Sequence, residues 1–149
     1  MDEERVKEIV RDMVFWSGKR DMAIDEIAMI QPGLARLMPE IGSRTWKLFY
    51  AAKAGNWPNA HYQWKEAKKL FEICCYTRPK HEEAIEEYLR DDWAPLEAAI
   101  KDEDFAAFEA AIEKAVDSAN AWHEKKDKPH IRWKLPDFPP PDLDLTPRR

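Results

Sequence analysis

The fold is decided by residues 105–125, FAAFEAAIEKAVDSANAWHEK. Apolar side chains recur there at alternating spacings of three and four residues, which places them on one face of an α-helix. They are Phe105, Phe108, Ile112, Ala115, Ala119 and Trp122. Asp102 or Asp104 precedes the stripe and suits the position that caps a helix start. A stripe of this kind is typical of the seam of a helical bundle.

Three segments upstream show comparable stripes and are predicted to be the other helices of the bundle. They cover residues 34–54, 58–76 and 80–100. Pro39 predicts a kink or division in the first of them, and residues 91–95 predict an interruption in the third. Because the links are short, we predict an all-α, antiparallel up-down-up-down four-helix bundle over residues 31–126.

The N-terminal extension, residues 1–30, is predicted to be helical. An apolar stripe runs along residues 3–16, and Ser17-Gly18 is a plausible stop. The stripe consists of Val6, Ile9, Val10 and Met13. A further turn or two of helix is expected within residues 23–30.

The C-terminal tail, residues 127–149, differs in composition from the helices. Six of the eleven prolines lie between Pro129 and Pro147, which predicts an extended chain near polyproline II. We expect its first half to pack back on the bundle through Ile131, Trp133, Leu135 and Phe138. Residues 146–149 are expected to be disordered.

Composition narrows the classes of partner and the compartment. The net charge of -5 lacks the cationic excess that phosphate binding needs, so nucleic acid is not an expected partner. No apolar run reaches the roughly 20 residues that cross a bilayer. The acidic start of the chain lacks a secretory signature, which predicts a cytoplasmic protein, or a periplasmic one if a leader has been removed.

Cys74 and Cys75 are expected to be buried and reduced, with a reactive vicinal pair as the alternative.

Two segments resemble the small bacterial c-type cytochromes of the c′-like, four-helix type. The first is RTWKLFYAAKAGNWP, residues 44–58, which resembles the family's opening helix. The second is PLEAAIKD, residues 95–102, which leads to ANAWH at 119–123 and KPHIR at 128–132. The family's counterparts are PLxxAIxxxD, CNACH and HPFIR. The resemblance covers residues 34–136 and implies a four-helix bundle that often pairs through its first two helices.

The departures from the family concern the haem site. Covalent attachment needs two cysteines ahead of an iron-binding histidine, and the resemblance places Ala119 and Trp122 at those positions. His123 alone remains, and Thr45 replaces a family histidine. The resemblance therefore implies no covalent haem, and we expect the indole of Trp122 to refill part of the vacated space.

These observations favour a haem-free bundle that binds a small apolar or aromatic molecule or a protein partner, without catalysis. The candidate pocket is lined by Thr45, Trp46, Trp64, Trp122, His123 and Arg132. The simpler interpretation is that the tryptophans belong to the core and that His123 sits at a helix end, where its charge suits the dipole.

Two other functions stay open. The first is a noncovalent haem protein for redox or gas binding, with His123 as the axial ligand. The second is a small acid–base enzyme, a lyase or isomerase, that uses His123 as its base. No metal site is predicted, because the Glu-x-x-His pattern of metal-binding bundles is absent. A homodimer is expected from the resemblance, with Tyr50 or Tyr62 at the contact, and a monomer is the alternative.

Overall fold

The computed structural model describes residues 2–148; Met1 and Arg149 lie outside the described residues. The protein is predominantly α-helical, as the sequence predicts. It divides into two compact units, Met1–Pro32 and Gly33–Arg149, named here the N-terminal unit and the helical body. None of the helices within residues 2–148 combines the length and apolar character needed to cross a membrane.

The N-terminal unit is less helical than expected. Helix α1 spans Glu3–Asp12 and begins where the Asp2 carboxylate accepts a hydrogen bond from the Arg5 N–H at 2.8 Å. Strands β1 (Val14–Trp16) and β2 (Asp21–Ala23) then form an antiparallel hairpin, followed by α2 (Ile24–Met29). The prediction of helix through residue 16 was therefore wrong. β-branched and aromatic residues at 14–16 favour a strand once residues 21–23 are available to pair with them.

The helical body opens with two long helices. Helix α3 spans Leu34–Lys53 and continues through Pro39, so the predicted division did not occur. Pro39 lies in the second turn of the helix, and its missing N–H leaves only one upstream carbonyl without a helical donor. Helix α4 spans Trp57–Thr77, and the Asn56 side chain accepts a hydrogen bond from the Asn59 N–H at its start.

The third predicted helix is interrupted, as expected, but by a π-helical segment. After a 3₁₀ turn at Pro79–His81 come α5 (Glu82–Tyr88), the π segment Leu89–Trp93 and α6 (Ala94–Lys101). Asp92, a residue type that favours helix starts, does not cap α6. It is buried, and its carboxylate accepts a hydrogen bond from Ser118 of the last helix.

The last helix, α7, spans Phe105–Lys125 and is capped by Asp104, whose carboxylate accepts from the Ala107 N–H at 3.0 Å. Helix α3 contacts α4 and α7, and α6 contacts α4 and α7. The apolar stripes of these helices meet in one core. Its largest fully buried side chains are Leu48, Cys74, Trp93, Leu96, Phe108 and Ile112.

The tail after α7 has no regular secondary structure and runs along α3. The Tyr50 hydroxyl donates to the Pro136 carbonyl at 3.2 Å, and Asn56 donates to the carbonyls of Leu145 and Thr146. Tyr50 is therefore engaged within the chain, whereas Tyr62 is exposed. Disorder was expected over residues 146–149. The structure gives defined hydrogen bonds to Thr146 and Arg148, and Arg149 lies outside the described residues.

Candidate functional site

Thr45 and Trp46, two of the predicted pocket residues, both donate hydrogen bonds to main-chain carbonyls of this chain. The Thr45 hydroxyl donates to the Ile41 carbonyl of its own helix at 2.7 Å, and the residue is only 6% exposed. The Trp46 indole N–H donates to the Phe138 carbonyl of the tail at 2.7 Å. The Phe138 ring meets the Trp46 ring edge-on, with centroids 5.4 Å apart. The tail thus covers Trp46.

Trp64 is part of the core, because it forms a reciprocal pair with Trp93 of the π segment. The Trp64 N–H donates to the Trp93 carbonyl at 3.0 Å, and the Trp93 N–H donates to the Trp64 carbonyl at 3.4 Å. Both indoles are buried, and the exchange satisfies both of their N–H groups.

A surface groove of about 310 Å³ opens beside this pair. Its lining combines apolar and charged side chains of both signs: Trp64, Lys68, Glu86, Leu89, Arg90, Trp93, Ala94 and Glu97. At its edge the His61 ring stacks on Trp64 with centroids 5.8 Å apart, and His61 Nε2 lies 3.6 Å from a Glu97 carboxylate oxygen. Lys101, followed by His61, lowers the pKa of Glu97. Of the six predicted pocket residues, Trp64 alone lines this groove.

Trp122 packs against the core and remains partly exposed. Two lysines of the same helix end cover its ring, with Lys125 Nζ 4.5 Å and Lys126 Nζ 5.8 Å from the centroid. These cation–π contacts hold the indole at the end of α7.

His123 and Arg132 are brought to one place by the return of the tail along α7. His123 Nδ1 lies 2.8 Å from the Ile131 carbonyl oxygen, and Arg132 forms a 3.0 Å ion pair with Glu124. Because a carbonyl oxygen only accepts, Nδ1 carries a proton in this contact, and in the neutral ring the lone pair is then on Nε2. The six predicted residues thus do not line one pocket, and no hydrogen bond among the described residues joins any two of them.

Sequence reasoning expected Trp133 to pack on the helices but missed its partners at this end of the body, Gly42 and Asn120. The Asn120 side chain accepts from the Trp133 N–H at 2.8 Å and donates to the Trp133 carbonyl at 2.9 Å. A Cβ at Gly42 would lie 2.8 Å from Trp133 Nε1, so only glycine admits the indole there. The signals in the sequence were weak, since Asn120 lies off the apolar stripe of α7 and Gly42 marks only a small residue inside a predicted helix.

A buried polar cluster lies where the π segment meets α7. The Asp92 carboxylate accepts from the Ser118 hydroxyl and lies 3.1 Å from Lys114 Nζ. The Tyr88 hydroxyl donates to the Ala115 carbonyl at 3.2 Å, and burial, with a smaller effect of Asp92, raises the pKa of Tyr88. Each group has a partner, so the cluster joins two elements and leaves no free nucleophile or base.

The two cysteines lie on the buried side of α4. Burial raises the pKa of Cys74 to about 11 and also raises that of Cys75. Since the thiolate is the reactive form, this environment supports inert thiols.

Within residues 2–148 no group of three or more His, Cys, Asp or Glu side chains is arranged to hold a metal ion. Comparison with protein-family models, with curated proteins and with solved structures gives no match. The resemblance to the c′-like cytochromes therefore rests on the residues quoted above.

Proposed function

We propose that this chain is a haem-free, non-catalytic accessory protein with a c′-like four-helix body, which associates with protein through its N-terminal unit. The contacts of α3 with α4 and α7, and of α6 with α4 and α7, are those expected of an antiparallel four-helix bundle. In that arrangement α5, the π segment and α6 together count as the third helix.

The observation that carries the proposal is the exposed apolar surface of the N-terminal unit. Of fourteen large apolar side chains exposed among residues 2–148, nine lie in this unit. They are Val6, Ile9, Val10, Met13, Val14, Phe15, Trp16, Met29 and Ile30. No residue from 2 to 32 is buried. A segment this short with no core of its own needs a partner to cover its apolar face.

A second copy of the chain is the occupant that the charges favour. The apolar stripe of α1 is bordered on one edge by Arg5 and Asp12, which lie near opposite ends of the helix. If two α1 helices pack antiparallel, Arg5 of one copy faces the partner's Asp12, and the reverse pair forms by symmetry. The stripe then packs against its own copy.

The test measures the molecular mass of the full chain in solution by sedimentation at increasing protein concentrations. The native chain should dimerise. Ile9→Glu should weaken the dimer by about 100-fold or more, because each dimer would bury two unpaired carboxylates.

Ile73→Glu on α4 is the matched control. Ile73 is 40% exposed and Ile9 is 46% exposed, so the same substitution meets similar solvent at both sites. The control should dimerise like the native chain. A native chain that stays monomeric throughout, or an Ile9→Glu chain that dimerises as well as the control, would contradict the proposal.

A noncovalent haem protein is the second candidate, favoured by the hydrogen bond of His123. Histidines that bind metal through Nε2 commonly donate Nδ1–H to a backbone carbonyl, as His123 is placed to do with Ile131. The surroundings do not fit a haem as they stand, because the tail contacts α7 at both His123 and Asn120. A porphyrin would have to displace those contacts.

Haem titration separates the two candidates. If the second is right, added haem produces a Soret band that His123→Ala abolishes, whereas His130→Ala, a change at an exposed histidine, leaves it intact. The leading proposal predicts no saturable Soret band, or the same weak band from all three proteins.

A further inference from the structure

The helical body holds the tail mainly through side chains that donate hydrogen bonds to main-chain carbonyls. Trp46 and Tyr50 of α3 donate to Phe138 and Pro136, at 2.7 and 3.2 Å. Asn120 of α7 donates to Trp133 at 2.9 Å, and Asn56 donates to Leu145 at 3.2 Å. These donors form a row along residues 133–145 of the tail.

Donors of this kind suit a proline-rich peptide. Proline has no N–H, so the carbonyls are the only main-chain polar groups that such a segment offers throughout. An extended proline-rich chain is also already ordered before it binds, which lowers the entropy lost on binding. Proteins that recognise such peptides use aromatic-lined grooves.

Two features add side-chain selectivity to this surface. The Trp133 indole occupies the notch at Gly42, where a Cβ would lie 2.8 Å from Nε1. Lys47 Nζ forms a 2.7 Å ion pair with the Asp142 carboxylate. The surface therefore selects a tryptophan and, further along the same segment, an acidic residue.

Release of the tail would not require α7 to unwind, because the hydrogen bonds that end this helix lie before the first contact between the tail and the helical body. The Lys126 N–H donates to the Trp122 carbonyl at 3.0 Å, and the Lys128 N–H donates to the His123 carbonyl at 2.8 Å. Both bonds lie ahead of residue 131, the first tail residue that contacts α7 through His123.

We propose that the surface formed by α3 and the end of α7 is a receptor for extended, proline-containing peptides with a tryptophan anchor and a downstream acidic residue, and that residues 131–146 are its competing occupant in the same chain. This surface lies within the helical body. The inference goes beyond the association of the N-terminal unit and is tested separately from it.

The experiment measures binding of a dye-labelled peptide, residues 128–148 of this chain, to full-length protein by fluorescence anisotropy. In the Trp133→Ala chain the chain's own tail has lost its anchor. That chain should bind the peptide about tenfold or more tightly than the native chain does, a difference of ~1.4 kcal/mol in apparent affinity. A peptide in which Trp133 is replaced by alanine should bind at least about tenfold more weakly to the same chain.

Gly42→Ala, added to the Trp133→Ala chain, tests whether the notch is the site. Alanine favours the helix more than glycine, so the body should remain folded while the notch is filled. This double variant should lose the peptide, and Ser43→Ala in the same background should keep it. Circular dichroism checks the fold. If Trp133→Ala is not folded, Asp142→Lys replaces it, because that change weakens the tail at an exposed ion pair.

Equal affinity of the native and tail-weakened chains would overturn the inference. Binding that is unaffected by Gly42→Ala would overturn it as well, since the peptide would then sit elsewhere on the body.

Discussion

Thr45, Trp46 and His123 illustrate how this protein satisfies its polar side chains. The first donates within its own helix, the second donates to the tail, and the third is oriented by a tail carbonyl. A buried donor that already has a partner gains little from a ligand, because the ligand must replace a bond of similar strength. At the residue scale, the polar anchors expected for a small-molecule pocket therefore serve mainly to hold the chain together.

Cys74 allows a prediction from its pKa. Burial raises the pKa of its thiol from 9.0 to about 11, so at neutral pH the reactive thiolate is rarer in the folded chain than in the unfolded one. In a Cys75→Ser chain, iodoacetamide should alkylate folded protein far more slowly than urea-unfolded protein. Mass spectrometry scores the reaction, and equal rates would contradict the buried environment.

The same shift fixes the sign of a pH effect on stability. The thiol of the unfolded chain ionises near pH 9 and that of the folded chain near 11, so the folded state binds more protons between these values. The contribution of Cys74 to the free energy of unfolding is therefore fully present below pH 9 and falls as the pH rises towards 11.

Trp122 and Trp133 show where prediction from single residues fails. The resemblance aligns Trp122 with an attachment cysteine, whereas Trp133 is the indole that enters the notch at Gly42. The notch joins residues far apart in the sequence, and helical periodicity carries no information on such a contact. Asn120 lies off the apolar stripe of α7, so the helical pattern pointed neither to it nor to its partner in the tail.

At the scale of elements, the π segment Leu89–Trp93 links α4 and α7. On one side the Trp93 carbonyl accepts a hydrogen bond from the Trp64 indole N–H of α4. On the other side the Asp92 carboxylate accepts from Ser118 and pairs with Lys114 of α7.

Replacing Asp92 should test this role. Asp92→Ala leaves the Ser118 hydroxyl without its acceptor and removes the ion pair with Lys114, whose ammonium keeps the Asp91 main-chain carbonyl as an acceptor. The change should lower the free energy of unfolding by about 2 kcal/mol. Asp91→Ala is the control, since the neighbouring carboxylate is exposed and pairs with Arg90, and it should change stability by less than about 0.5 kcal/mol. Urea denaturation measures both. Equal losses in the free energy of unfolding would contradict a stabilising role for the Asp92 contacts beyond that of an exposed ion pair.

The long helices were predictable because their stripes extend over many turns and their ends carry ordinary signals. Helix α7 begins at Phe105 behind the Asp104 cap, and α4 begins behind Asn56. The hairpin at 14–23 was not predicted, because α1 and β1 form one continuous apolar pattern. Three-residue strands are too short for their alternation to be distinguished from a helical stripe.

At the scale of the whole molecule, the two units differ in whether they bury a core of their own. The helical body buries side chains of α3 to α7 in one core, which includes both cysteines and both Trp64 and Trp93. The N-terminal unit buries none of residues 2–32. A chain with one closed unit and one apolar, uncovered unit is typical of a protein completed by association.

Hydrogen exchange of the full chain over a range of protein concentrations tests this association most directly, because it reports whether α1 becomes covered. We predict that the amides of residues 3–12 exchange more slowly as concentration rises, while those of α3 and α7 exchange at a constant rate. Ile9→Glu should abolish the change and Ile73→Glu should preserve it. Fast exchange in α1 that does not depend on concentration would contradict the account.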